Sequence, residues 1–179
     1  MFHLLDSIHP GMSPREVSNL RSVKSAPYIG LAEQVPGGRL EYRFGKEAPG
    51  EGQPQGNLSL ITVRYSFETA AAADSASRTS FDSLLKVIGP PSEYLDTSAG
   101  FMRKAYAAWR RVGGVLELVA VRNRADSAAR LGLPVRSVLL TVRDANVDAP
   151  LRTGSAKVLP PATCRVALGL VHEDTVRAP

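Results

Sequence analysis

Polar and apolar residues alternate with a period of two along Arg39-Leu40-Glu41-Tyr42-Arg43-Phe44, directly after Pro36-Gly37-Gly38. That period marks a half-buried strand, with Leu40, Tyr42 and Phe44 turned to the core. A longer strand is expected over Leu58-Ser59-Leu60-Ile61-Thr62-Val63-Arg64-Tyr65-Ser66-Phe67. Between them, residues 46–56 are rich in Pro, Gly, Glu and Gln, and read as a flexible loop. The simplest arrangement is a hairpin pairing 39–44 with 58–67. Further along, residues 115–121 are almost continuously apolar, which suggests a central strand, and 106–111 and 135–143 supply two more. Gly113-Gly114 is a candidate turn between the strand at 106–111 and the one at 115–121.

Helical patterning is shorter. In Gly11-Met12-Ser13-Pro14-Arg15-Glu16-Val17, Ser13 is placed to cap a helix, Pro14 to open it, and Glu16 to complete a capping box. Val17, Leu20 and Val23 then share one face, so a helix is expected over 14–23. Ser80 is a candidate cap for a second helix carrying Phe81, Leu84, Leu85 and Ile88, stopped by Gly89 and Pro90-Pro91. Residues 68–80, rich in Ala, Ser, Asp and Thr, fit either a helical extension or a linker. Residues 145–162 read as an extended connection, 165–171 as a strand or a packed segment, and 172–179 as a mobile tail.

The order helix, loop, strand, turn, strand occurs twice, over 8–67 and 80–143. The expected fold is α+β: an antiparallel sheet of four to six strands, short helices packed on one side, and an internal duplication. Residues 1–144 would form one domain built from the two repeats, with 145–179 as an extended C-terminal segment. Neither repeat alone is large enough to bury a core.

Composition changes this picture little. The chain has 179 residues, 44% hydrophobic and 22% charged, with 6% aromatics and one tryptophan. The core is therefore mostly aliphatic. Net charge is +5, from 22 basic and 17 acidic residues, the bases being mainly arginine. An arginine excess fits either a base-composition bias or an anionic partner. No run of consecutive basic residues is longer than the pair Arg110-Arg111, so no dense basic tract speaks for nucleic acid. A single cysteine, Cys164, rules out an intrachain disulfide and a cysteine-built zinc site. No stretch approaches the ~20 apolar residues of a membrane span. Residues 1–6 lack signal-peptide character, so a cytoplasmic location is expected, or a periplasmic one if a signal has been removed.

Ile8-His9-Pro10-Gly11-Met12-Ser13-Pro14-Arg15-Glu16-Val17 resembles the opening motif of the SmpA/OmlA outer-membrane assembly lipoprotein family. Leu84-Leu85-Lys86-Val87-Ile88-Gly89-Pro90-Pro91 resembles that family's helix end, and Trp109 followed by a strand resembles its continuation. Two such units in tandem resemble β-lactamase-inhibitor-protein-like folds. The resemblance implies a non-enzymatic protein-binding module that uses its exposed sheet face and loops. The chain departs from the pattern in lacking a lipoprotein cysteine near residue 1 and the disulfides of secreted inhibitors.

Candidate chemistry is sparse. His3, His9 and His172 would need a carboxylate such as Asp6 or Glu173 to make a metal site, and scattered surface histidines are the simpler reading. Cys164 and His172 lack an orienting third group. Gly50-Glu51-Gly52 and Gly113-Gly114 lack the context of a phosphate cradle. Glu47 and Glu51 sit in a loop without the fixed geometry of acid–base chemistry. No enzyme, cofactor or metal is therefore expected. Tyr106, Trp109, Arg110, Arg111 and Arg122 form the candidate partner-binding set, since Trp and Arg dominate binding hot spots. Strand alternation equally allows Trp109 to be core, sharing a face with Ala107 while Ala108 and Arg110 take the other. The expected function is that of a protein-binding module, as an inhibitor, immunity or assembly protein. The alternative is a nucleic-acid-associated basic protein, which gains if Arg43, Arg64, Arg110, Arg122 and Arg143 share one sheet face. The identity of the partner and the oligomeric state stay open.

Overall fold

A computed structural model describes residues 7–26, 29–45, 54–111, 114–144, 157–158 and 168. Within these, a short helix α1 (Pro14–Leu20) opens the chain, followed by β1 (Lys24–Ala26), β2 (Gly30–Val35), β3 (Gly38–Phe44) and β4 (Leu58–Phe67). A long helix α2 (Ala70–Ile88) leads to β5 (Glu93–Ala99), β6 (Met102–Arg111) and β7 (Gly114–Asn123). Helix α3 (Ala125–Leu131) and β8 (Arg136–Asp144) follow, and Lys157–Val158 form a two-residue β9.

The capping box at Ser13 is present in full. The Ser13 backbone N–H donates to Glu16 Oε2 at 2.7 Å, and the Glu16 backbone N–H donates to Ser13 Oγ at 3.3 Å. The helix is shorter than the 14–23 expected. Arg21 is already extended, and its guanidinium donates to Glu33 at 2.8 Å. Tyr42 donates its hydroxyl to the same carboxylate at 2.7 Å, so β2, β3 and the end of α1 are tied at one point.

Helix α2 corrects the expected second helix. Its cap is Thr69, whose hydroxyl accepts from the Ala72 N–H at 3.2 Å, and Ser80 lies in mid-helix. The buried stripe is Ala73, Ser77, Phe81 and Leu84, at helical spacing. Its first half is made of small residues, which carry little hydrophobic signal. They let the helix approach a sheet that presents Ala105, Ala107 and Ala120, also buried. Gly89, at φ +81°, then ends the helix before Pro90-Pro91.

All strands belong to one antiparallel sheet in the order β1-β2-β3-β4-β8-β7-β6-β5-β9. The 39–44/58–67 hairpin is as expected, running from Gly38↔Tyr65 to Phe44↔Leu58. The sheet is wider than the four to six strands expected. The strands β1, β2 and β5, and the helix α3, carry no strong periodicity and were not foreseen. Gly114 already pairs with Arg111, so it belongs to β7 rather than to the turn; residue 113 lies outside the described residues. The expectations for 46–53 and for most of 145–179 also lie outside them. Where the C-terminal segment is described, it is joined to the domain: β9 pairs with β5, and Leu168 is fully buried in the core.

Apart from β9, the strand order reads alike from either edge. Each half is a helix followed by a four-stranded meander, and the halves meet where β4 pairs with β8. The second half starts at α2 near residue 70, not at 80. One sheet face carries Leu40, Tyr42, Ile61, Val63, Trp109, Leu118 and Leu140, packed into one core with Val17 of α1 and Phe81 and Leu84 of α2. The other face is covered by none of the three helices.

Candidate partner-binding face

The uncovered face is concave, and encloses a cavity of about 940 Å³ lined from β2 across to β6 and from the α3–β8 connection. Its floor is a transverse row set by strand register: Glu41↔Thr62↔Thr141↔Glu117, across β3, β4, β8 and β7. The two threonine hydroxyls meet at 3.4 Å on the seam between the halves. On either side a carboxylate holds an arginine. Arg64 Nε donates to Glu41 Oε1 at 3.3 Å, and Arg143 Nε and Nη2 donate to Glu117 Oε1 at 3.1 and 3.0 Å. The second pair is almost wholly buried, with side-chain exposures of 7% and 4%. Charges buried this deeply persist only when paired.

This arrangement has a sequence signature that strand patterning alone misses. Leu40-Glu41 matches Leu116-Glu117, and Thr62-Val63-Arg64 matches Thr141-Val142-Arg143. These short matches fall at the positions that build the cavity floor, although Thr-Val-Arg also recurs at Thr175-Val176-Arg177.

Around this symmetric floor the two halves differ. Flanking Glu41 on β3 are Arg39 and Arg43, whereas flanking Glu117 on β7 are Val115 and Val119. Lys104 of β6 also lines the cavity. Burial, then the nearby Arg64 and Arg43, hold its amine below the ordinary lysine range. Beside it, Tyr106, Val119, Val121 and Leu139 form a small buried apolar cluster. Burial pushes the Tyr106 phenol up to about 12. Among the described residues, Arg43 and Lys104 form no ion pair.

The expected site residues do not share a face. Trp109 is completely buried on the helix side, its indole N–H donating to Gly89 O at 2.8 Å and its ring centroid 5.9 Å from that of Phe81. As folded, it is a core residue and reaches no surface, because odd-numbered positions of β6 point at α2. Arg122 also faces the helix side, where it lies 3.6 Å from Asp74 of α2. Tyr106 and Arg110 are on the concave face; Tyr106 lies deep in the cavity, and Arg110 is exposed near the edge and paired with Glu93. Arg111 ends β6, and its side chain lies outside the described set. Sequence reasoning missed Arg39, Glu41, Thr62, Lys104, Glu117 and Thr141.

Of the strand arginines, Arg43, Arg64, Arg110 and Arg143 fall on the concave face and Arg122 on the other. Carboxylates engage Arg64, Arg110 and Arg143. Among the described residues, no group of His, Cys, Asp and Glu could hold a metal ion, and no helix is long and apolar enough to cross a membrane. His9 is exposed beside α1; His3, His172 and Cys164 lie outside the described residues. Among the described residues, fold and face together describe an α+β protein whose sheet carries one concave surface that no helix residue lines. Comparison with protein-family models, curated proteins and solved structures gives no match.

Proposed function

We propose that this protein is a non-enzymatic binding module that holds a protein partner against the concave face of its sheet. One observation carries the reading. Among the described residues, Arg43 Nε, Glu117 Oε2, Asn123 Oδ1 and Ser137 Oγ are buried without a hydrogen-bond partner, and all four side chains line this one cavity. Buried polar atoms are almost always satisfied in native proteins, and each orphan costs about 1–3 kcal/mol. Their concentration around one cavity sets this face apart from the rest of the described sheet and supports a binding role for it. The two carboxylates of the cavity are both tied to arginines, and no histidine or cysteine is among its lining residues. That composition favours binding over catalysis. The likeness of segments 8–17 and 84–91 to assembly-lipoprotein motifs agrees with it.

A nucleic-acid partner draws some support from the arginines gathered on this face. It is the weaker reading, because carboxylates neutralise most of them and, among the described residues, Tyr106 is the only aromatic lining the cavity. Single-stranded nucleic acid binders add a series of stacking aromatics to their cations.

The reading is tested by affinity capture from the native cells with wild type, with Val119→Arg in the cavity, and with Gln34→Trp at its exposed rim. Lys86→Glu on the solvent side of α2 serves as control. One protein retained by wild type and Lys86→Glu, and lost with both face variants, is the expected result. A partner held equally by all four would place the interface elsewhere.

A further inference from the structure

The inequality of the two halves says what kind of partner segment fits. The floor of the face is two-fold, but Arg43 on β3 stands where β7 has Val119. The β3 side of the cavity is therefore the more cationic and the β7 side the more apolar, with Lys104 of β6 beside the apolar cluster. The apolar side does not stop at the cavity wall. Leu133 lines it, and Leu131, Leu133 and Val135 remain 50%, 40% and 38% exposed on the α3–β8 connection. Exposed aliphatics grouped on one lip beside a cavity are a common mark of a docking surface.

Resting on the binding role proposed above, we infer that the concave face receives a projecting peptide segment of the partner. Its Asp or Glu side chain sits among Arg43, Arg64 and Lys104, and its apolar flank covers Leu131, Leu133 and Val135. Charge complementarity selects the acid. Arg64 shares its charge with Glu41, but Arg43 and Lys104 form no ion pair among the described residues. A carboxylate brought between them gains two charge-assisted hydrogen bonds and relieves the repulsion among the cations. The lowered proton affinity of the Lys104 amine agrees, since burial first, and then the nearby Arg64 and Arg43, disfavour its charge. A peptide suits the site better than a small acid, because Leu131 and Val135 are exposed beyond the residues that line the cavity, where an enclosed ligand would not reach.

The test pans the full-length protein against a library of disulfide-closed random heptapeptide loops. Arg43→Met, Lys104→Met, Leu133→Glu and Val119→Arg are screened in parallel. Expected are loops with Asp or Glu beside Leu, Val, Ile or Phe, weakened at least about tenfold by Arg43→Met and by Lys104→Met, and weakened also by Leu133→Glu. Loops that lack an acid, or that ignore the two Met variants while still being lost on Val119→Arg, would overturn this inference and leave the binding face standing. Enriched loops indifferent to Val119→Arg, or no enrichment at all, would count against both. Decanoate displacing the loops with higher affinity than theirs would reassign the site to small organic acids and overturn the peptide.

Discussion

Lys104 sits where its own charge is disfavoured, by burial first and then by Arg64 and Arg43. A cation held in such surroundings costs stability. Lys104→Met should therefore raise the thermal midpoint at pH values below the lowered folded value, where the wild-type amine is charged in both folded and unfolded chains. Between the lowered folded value and the ordinary lysine value, the unfolded chain holds a proton that the folded chain has released. Wild-type stability rises with pH through that window, so the advantage of the Met variant should shrink toward about pH 10. Calorimetry below the lowered value and near about pH 10 decides it, and a lower midpoint for the variant at the lower pH would show that Lys104 contributes to the fold. Trp109 is the opposite case. It has the chemistry of an interface anchor, but its register on β6 places it under α2, where its N–H and its ring are both used.

At the scale of elements, local chemistry was legible wherever it was strong. The Ser13-Pro14-Arg15-Glu16 box caps α1 as its sequence implies, and Ser13→Ala should lower stability by about 1 kcal/mol. An unchanged urea midpoint would show that the hydrogen bonds at Ser13 do not contribute. Strand β4 was legible in its bounds, since Ile61, Val63, Tyr65 and Phe67 alternate with polar residues after the apolar start at Leu58 and Leu60. Helix α2 was half legible. Phe81 and Leu84 announce its second half, but Ala73 and Ser77 bury too little apolar surface to be read as a core stripe. They are buried because the sheet opposite them is built of alanines, which is a fact about packing. Strands β1, β2 and β5 are short or mixed in polarity. Their hydrogen bonds to neighbours, not their patterning, make them strands.

For the molecule as a whole, the way charge is distributed outweighs the net figure of +5. On the concave face the cations alternate with Glu41 and Glu117, and Glu93 pairs with Arg110 at the rim. No continuous positive track spans the sheet. Mixed-sequence DNA or RNA should therefore bind no tighter than the ~10⁻⁴–10⁻⁶ M of non-specific association at ~150 mM salt. Fluorescence anisotropy against salt measures this, and a submicromolar constant with a steep salt slope would promote the nucleic-acid reading over the protein partner. The same face explains why the two halves must fold together. Each contributes one Glu–Arg pair and one threonine of the central Thr62–Thr141 contact, so the cavity exists only once β4 has paired with β8.

The chain by itself determined an α+β fold with an antiparallel sheet, the capped first helix, the β3–β4 hairpin and the order helix-then-strands repeated twice. These follow from interactions within a few residues or from the period of hydrophobicity, which any sequence displays openly. Tertiary structure alone decided that the sheet is nine strands wide, that Trp109 is core, and that Arg43 and Lys104 look into one cavity. Residues 43 and 104 are remote in the chain. Only strand order and the curvature of the sheet bring their side chains to the same space, and neither is written in local patterning.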